Sequence, residues 1–293
     1  MSKLVVEKQG VFGKDSGEPE VVVLEKNIFG KTRIAAHSKS NVAIRVLIAA
    51  LVFITIYAFA TFDYKDINFA EAIMATLGNI KTVFLEPALK YDTVTGILYQ
   101  LFVTFCLGVL STIFGAILAL FCSLFCARNI SSPKVAGVIK SLVAVVRAVP
   151  TVLWVLIFAV SAGLGSVAGV VGLTFHSFAY LTKMYSEAIE EIDEGTIEAL
   201  RANGANFWQI VCQAVIPASI SYIVAWTFMR FEINFANAIA MGAAAGAGGI
   251  GYNLFMAGSF YFDLHEMGFL TYVVVIAVII LETISTKIKR KVK

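Results

Sequence analysis

The chain has 293 residues, of which 59% are hydrophobic and 15% charged, and a formal net charge of +3. Its mean hydropathy of +0.83 excludes an ordinary water-soluble domain, which carries about 45–50% apolar residues. The small charge, with basic residues gathered at the two chain ends rather than along one stripe, excludes nucleic acid as a partner. Apolar runs of about 20 residues recur along the chain, the length a bilayer requires, so an all-α polytopic membrane protein in contact with lipid is expected.

Residues 1–40 are polar and hold Lys3, Lys8, Lys14, Lys26, Lys31, Arg33 and Lys39. That prelude is too long for the charged start of a cleaved signal peptide, so the first apolar run, 42–62, reads as a retained anchor. Further spans are expected over 97–126, 138–162, 167–187, 216–240 and 266–286, giving about six. The loop 127–137 carries Arg128 and Lys134, and the tail carries Lys287, Lys289, Arg290, Lys291 and Lys293, while 241–266 holds neither lysine nor arginine. The positive-inside rule then places both termini and the segment 188–215 in the cytoplasm. Residues 63–96 fall outside, where Lys65, Lys81 and Lys90 are accompanied by Asp63, Asp66, Glu71, Glu86 and Asp92, and 68–90 reads as an interfacial helix. The organisation is a polar tail (1–40), an anchor with an external segment (41–94), one membrane domain (95–286) and a basic tail (287–293). Cys106, Cys122, Cys126 and Cys212 have no metal-ligand spacing and read as small apolar residues of membrane helices.

Between two apolar runs lies EALRANGANFWQIVCQAVIP, Glu198 to Pro217. Gly195 can end the preceding helix in a left-handed conformation, and Thr196 can cap the next, with Glu198 in its first turn. Asn203 and Gly204 form its natural stop, Asn206 can cap a further turn starting at Phe207, and Pro217 suits the first turn of the following membrane helix. Ala199, Ala202 and Ala205 allow close approach, and Leu200, Phe207 and Trp208 offer apolar anchors. Such a helix–corner–helix either fills a groove in a partner or lies on the membrane as an amphipathic loop.

The segment resembles the EAA loop of binding-protein-dependent ABC importer permeases: Glu-Ala-Ala, three residues, Gly, nine residues, Ile, any residue, Leu, Pro. Glu198, Ala199, Gly204 and Pro217 match at that spacing, while Leu200, Ala214 and Ile216 depart from it. RAVPTVLWVLIF at 147–158, HSFAYLTKMYSEAIEEID at 176–193 and GAGGIG at 246–251 resemble in order and spacing the phosphonate-type permeases, the PhnE family, over residues 95–286. The resemblance implies a type I ABC importer permease of the MetI-like fold in a bacterial plasma (inner) membrane, with a phosphonate or related small anion as cargo. It also implies two copies forming a dimer, an extracytoplasmic binding protein, and ATPase subunits docked on the EAA loops. ATP and Mg would sit on the ATPase partner, and this chain would bind no cofactor.

An unpaired charge at the bilayer centre costs about 2.5–3.5 kcal/mol even on lenient scales, so Arg147, Arg230, Glu232 and Glu282 are candidates for a translocation pathway or for pairing between helices. Arg147, at the end of its span, can instead snorkel. Arg230 and Glu232 are two residues apart and do not face one another, so each needs a partner elsewhere. Asn234 and Asn237 either contact a substrate or join helices. The phosphonate-type permeases often carry another basic residue near the position of Ala236 and Asn237, which this chain lacks. Pro150, within the family-like stretch 147–158, is a further pathway candidate, and His176, near a helix end, is either structural or part of the pathway.

GAGGIG also satisfies G-x-G-x-x-G through Gly246, Gly248 and Gly251. With a membrane helix before it and no strand, it reads as a tight external re-entrant turn that includes Gly249, not a nucleotide site. No G-x-x-x-x-G-K-[ST], H-E-x-x-H or G-x-S-x-G occurs, so no ATPase, metallohydrolase or serine hydrolase is expected. The cargo is alternatively another small organic solute, such as an amino acid or vitamin, and a competing class is a secondary transporter working without a motor.

Overall fold

The computed structural model describes residues 10–11, 20–21, 23–26, 32–35, 39–62 and 68–292, and the chain divides into two units, Met1–Phe69 and Ala70–Lys293. The expectations for the rest of the polar prelude, for residues 63–67 and for Lys293 lie outside the described residues. In the first unit, β1 (Gly10–Val11) pairs antiparallel with β2 (Glu20–Val21), and β3 (Val23–Lys26) with β4 (Thr32–Ala35). Then follows α1 (Lys39–Thr61), whose stretch Val42–Thr61 is long and apolar enough to cross a membrane.

The second unit is helical: α2 (Phe69–Leu85), α3 (Val94–Cys126), α4 (Pro133–Ala148), α5 (Thr151–Ala162), α6 (Ser166–Glu190), α7 (Glu194–Ala202), α8 (Phe207–Ile210), α9 (Ile216–Ala245), α10 (Ile250–Phe255) and α11 (Leu264–Val292). Local chemistry sets several starts. Thr93 caps α3 by accepting the Gly96 N–H, and Ser132 caps α4 by accepting the Val135 N–H, with Pro133 in the first turn. Among the described residues, Val94–Cys126, Phe207–Ala245 and Leu264–Arg290 join Val42–Thr61 as helices able to cross a membrane, and the bent pair α4–α5 makes up to five spans. The sixth expected span corresponds to α6, 25 residues and so about 37 Å long; it is more polar, with the hydroxyl residues Thr174, Ser177, Thr182 and Ser186 buried inside the unit. It packs against α3, α4, α5 and α9. At its crossing with α5, a Cβ on Gly172 would stand 2.6 Å from the Val155 nitrogen, so the backbones meet directly.

Two expected spans are corrected. The helix expected over 138–162 is two helices bent by 84° at Val149 and Pro150. Proline has no N–H, and its ring drives the preceding residue out of the helical region, as the ψ of 122° at Val149 records. The indole N–H of Trp154 donates to the Val146 carbonyl at 3.1 Å across this bend. The helix expected from 216 to 240 instead starts at Phe207 and runs to Ala245, with a π-turn at Val211–Val215. Pro217 therefore lies inside a continuous helical path. The π-turn, in which the Ile216 N–H reaches back to the Val211 carbonyl, gives room where the proline ring would crowd the carbonyl four residues earlier.

At the start of α11, Glu266 is 1% exposed, and its carboxylate accepts the N–H groups of Tyr91 at 3.0 Å and Asp92 at 2.9 Å. Asn253 donates to Asp92 at 2.7 Å, and Lys90 pairs with Asp263 at 3.4 Å. The chain between α2 and α3 is thereby held to the start of α11. Glu266→Ala strands two N–H groups and is expected to cost about 1–3 kcal/mol, read as a fall in the thermal midpoint of the purified chain in detergent.

Candidate coupling projection and buried polar cluster

The segment after α6 folds as helix, corner, helix, with its start shifted from the expected one. Asp193, not Thr196, is the N-cap, its carboxylate accepting the Thr196 N–H at 3.1 Å. Gly195 lies inside the first turn of α7 and has no left-handed backbone, because the carboxylate cap one residue before α7 already terminates the preceding chain. The corner is as expected: Gly204 has φ +81°. The Gly204 N–H bonds the Arg201 carbonyl at 2.9 Å and the Ala205 N–H bonds the Leu200 carbonyl at 3.0 Å, the paired bonds of a Schellman stop. Asn206 then caps α8 in a reciprocal box with Gln209, at 2.8 and 2.9 Å.

The apolar side chains of this projection divide. Leu200, Ala205 and Phe207 pack onto a core of Leu124, Ala127, Ile130, Ile189, Ile197, Ile210, Val211 and Val215, and Phe207 stacks on Phe125 at 5.9 Å. Glu198, Ala199, Ala202, Gly204 and Pro217 are exposed, and Trp208 presents 55% of its surface. Of the three expected anchors, then, two hold the projection to its own base and Trp208 faces outward.

Polar bonds fasten that base. Arg201 donates to the Asn129 carbonyl at 3.0 Å, and the Asn129 side chain donates to the Ile189 carbonyl at 2.7 Å. Glu190, beyond the apolar part of α6, accepts the Lys140 ammonium at 2.7 Å and the Arg128 N–H at 2.9 Å. Burial pushes the Glu190 carboxyl up, but the Lys140 and Arg128 contacts outweigh this and hold it below the ordinary glutamate range. A depressed carboxylate stabilises the fold fully above its unfolded value, about 4.3, and that stabilisation is lost as pH falls through the lower folded value. Glu190→Gln is therefore expected to lower the thermal midpoint at neutral pH and to flatten its decline in the acid range, seen by comparing pH-dependent melts of the two chains.

The intramembrane candidates separate into groups. Arg230, on α9 and 2% exposed, donates through Nε to the Ser177 hydroxyl at 3.1 Å and through Nη2 to His176 Nδ1 at 2.9 Å. Since a guanidinium only donates, His176 is held as the tautomer with its proton on Nε2. The guanidinium also lies 5.1 Å from the Tyr180 ring centre. Asn234, fully buried, donates to Thr112 and to Ser177, each at 2.8 Å, and so joins α3, α6 and α9. Among the described residues no carboxylate lies within ion-pair distance of Arg230. Glu232 faces away and pairs with Lys289 of α11 at 2.9 Å. Asn237 is half-buried on α9, and Arg147 and Pro150 are exposed at the α4–α5 bend. Of the partners not anticipated, Ser177 and Tyr180 flank His176 at +1 and +4, a helical spacing visible in the chain, whereas nothing in the chain marks Thr112.

GAGGIG doubles back on α9. Gly246, Gly248 and Gly249 have φ of +63°, +77° and +70°, and the Ile250 N–H donates to the Thr104 hydroxyl at 2.9 Å. A helix, not a strand, precedes it. Among the described residues no group of three histidine, cysteine or carboxylate side chains is placed to hold a metal.

Long apolar helices, one candidate span broken at a proline and a capped helix–corner–helix rooted on the longest of them define a multi-pass α-helical membrane protein. The chain belongs to the family of binding-protein-dependent transport system inner membrane components, whose model matches residues 119–291. It is 32% identical over 229 residues to the phosphate-import permease protein PhnE of Mycolicibacterium smegmatis, covering 77% of this chain and 40% of that one. It is 35% identical over 152 residues to the phosphite transport system permease protein PtxC of Stutzerimonas stutzeri, covering 52% and 55%. The chain thus spans about half the length of these relatives. Its fold is similar to a chain of the MetNI methionine ABC transporter in an inward-facing conformation, with a TM-score of 0.63 at 22% identity over 70% of this chain and 100% of that one. A bacterial alginate ABC transporter gives 0.58 at 13% identity, over 86% and 98%.

Proposed function

We propose that this chain is the permease subunit of an ABC importer that takes up a phosphonate or related phosphate-like anion, and that it works as a homodimer. In this reading both termini and the projection from Asp193 to Pro217 are cytoplasmic, and the glycine turn at 246–251 and the segment after α1 are external. An extracytoplasmic binding protein delivers cargo, and separate ATPase subunits, carrying ATP and Mg, dock on the projection around Glu198, Ala199 and Trp208.

The observation that carries the proposal is the single helical path from Phe207 to Ala245. Its base is the docking projection, and Arg230 and Asn234 lie on the same path, with Arg230 about 35 Å beyond Phe207 at 1.5 Å per residue. A displacement of the projection by nucleotide-driven closure is carried along this rod to the polar cluster, which has a different arrangement in each access state. Arg230, whose charge has no carboxylate beside it among the described residues, is suited to an anionic cargo. His176, Asn234 and Asn237 on the same two helices, with Arg147 and Pro150 at the broken span, make up the proposed pathway. The names of the two relatives support a phosphorus oxyanion.

The test is affinity purification of the tagged full chain from its native membrane, followed by uptake and ATPase assays of the purified assembly in liposomes. Co-purifying ATPase and uptake that stops without ATP are expected; uptake that persists without ATP would instead establish a motor-independent transporter. Ala236 and Asn237, which stand where the phosphonate-type permeases often carry a basic residue, favour a second cargo class, a small organic solute. A thermal-shift screen of the binding protein decides between them: stabilisation by phosphonates and phosphate-like anions is expected, and stabilisation by an amino acid or vitamin alone overturns the anion reading.

A further inference from the structure

At the end of the unit that carries the projection, a cavity of about 210 Å³ lies between the end of α3, α4 and α6. Lys140, Val143, Ala144 and Arg147 line it from one face of α4, and Thr182, Lys183, Ser186, Glu187 and Glu190 from α6. Its charges do not cancel. Lys140 pairs with Glu190 at 2.7 Å and Lys183 with Glu187 at 3.4 Å, which leaves Arg147 without a carboxylate among the described residues. The Thr182 hydroxyl oxygen is buried without a hydrogen-bond partner. At roughly 30 Å³ per water, the volume holds several waters or one tetrahedral oxyanion.

We propose that this cavity is a binding site for a phosphate-class oxyanion, with the Arg147 guanidinium as its principal contact and Lys183 as the second cation. A guanidinium presents paired N–H donors that match two oxygens of a phosphate, which a point charge does not. The Lys183–Glu187 pair is solvent-exposed on both sides and so is held weakly, leaving the ammonium able to turn to a ligand. Such a ligand also competes with Glu190 for Lys140. Because Glu190 holds the Arg128 N–H and lies three residues before the Asp193 cap, occupancy would act on the base of the projection. The same chemistry is presented by a free phosphate-type ion and by the phosphate of an anionic phospholipid; because Arg147 also belongs to the proposed pathway, the free-ion form of the site rests on that reading, whereas the lipid form does not.

The experiment has two arms, both on the full chain. In the first, delipidated protein in a neutral detergent is titrated with inorganic phosphate, with sodium chloride at matched ionic strength as reference. In the second, the protein is placed in nanodiscs of phosphatidylcholine with or without phosphatidylglycerol. A rise in thermal midpoint with phosphate beyond that with chloride, its apparent affinity reduced at least tenfold in Arg147→Gln and only partly recovered in Arg147→Lys, supports a free oxyanion. A rise with phosphatidylglycerol alone, with the same dependence on Arg147, supports a lipid phosphate. Lys183→Gln should weaken either response, and it decides the matter if Arg147→Gln does not elute as a monodisperse species with wild-type far-ultraviolet dichroism. No rise in either arm, or an equal rise in wild type and both glutamine variants, overturns the site.

Discussion

Gly204→Val is expected to abolish uptake and the coupling of ATPase activity to it while the chain still inserts in the membrane. A Cβ at Gly204 would meet nothing within 4 Å, so the residue is required for its backbone and not for space. At φ +81° a β-branched side chain carries strain of order 1–3 kcal/mol, comparable with the two corner hydrogen bonds at about 1 kcal/mol each. The corner then opens, α7 and α8 no longer meet at a fixed angle, and Trp208 is presented in the wrong direction. The Ile197, Ile210 and Val215 core and the long helix do not depend on the corner, so insertion survives. Gly204→Asn, which tolerates the left-handed region, should keep much of the activity. Uptake and membrane abundance measured side by side check this, and normal uptake in the valine variant would remove the coupling role.

Gly251→Ala is expected to have the opposite physical origin and a larger structural effect. Gly251 has no left-handed backbone, but a Cβ there would stand 1.9 Å from the Ile239 carbonyl oxygen and 3.1 Å from the Ala243 nitrogen. Both belong to the backbone of α9 and cannot rotate away. The re-entrant turn must separate from α9, disturbing the cluster of Ile97, Ile250, Ala257 and Leu270 that lies beneath it. A cost at or beyond the upper end of the usual overpacking range, about 3 kcal/mol, is expected, seen as loss of the monodisperse species or a large fall in thermal midpoint. A wild-type melt would show that α10 can move from α9 freely. The same glycine that completes a dinucleotide-like pattern is thus placed for close helix contact.

The projection was readable from the chain at its corner and less so at its ends. The Asn203–Gly204 stop and the Asn206 cap are local chemistry: a left-handed residue and a side chain reaching a backbone N–H three residues on. The start is ambiguous in the chain because Asp193 and Thr196 both precede acidic helical turns, and only the conformation of the incoming chain chooses between two capping side chains. Leu200 and Phe207 were expected to serve a partner because both are apolar in a polar segment. Whether such a residue faces outward or onto its own base depends on Leu124, Ile130 and Ile189, which come from distant parts of the chain. At Pro150 and Pro217 the same residue type gave two outcomes, a bend of 84° and a π-turn within a continuous helix. Proline removes one hydrogen bond in either case; how the freed groups are satisfied is settled by surrounding packing, here the Trp154 indole at one site and the wider turn at the other.

The amino-acid sequence by itself determined that the chain is helical and membrane-embedded, and which segment turns between helices. Those properties follow from the run lengths a bilayer demands and from interactions within about four residues. Tertiary structure decided which polar groups meet: Arg230 with His176 and Ser177, Asn234 with Thr112, Glu232 with Lys289, and Lys140 with Glu190. These pairs are separated by about 50 residues or more in the chain. A charge in a membrane helix announces only that it needs a partner, because desolvation is costly wherever the partner lies. The partner's identity is set by how helices cross, and those crossings depend on small residues such as Gly172 and Gly251, which carry no charge signal of their own.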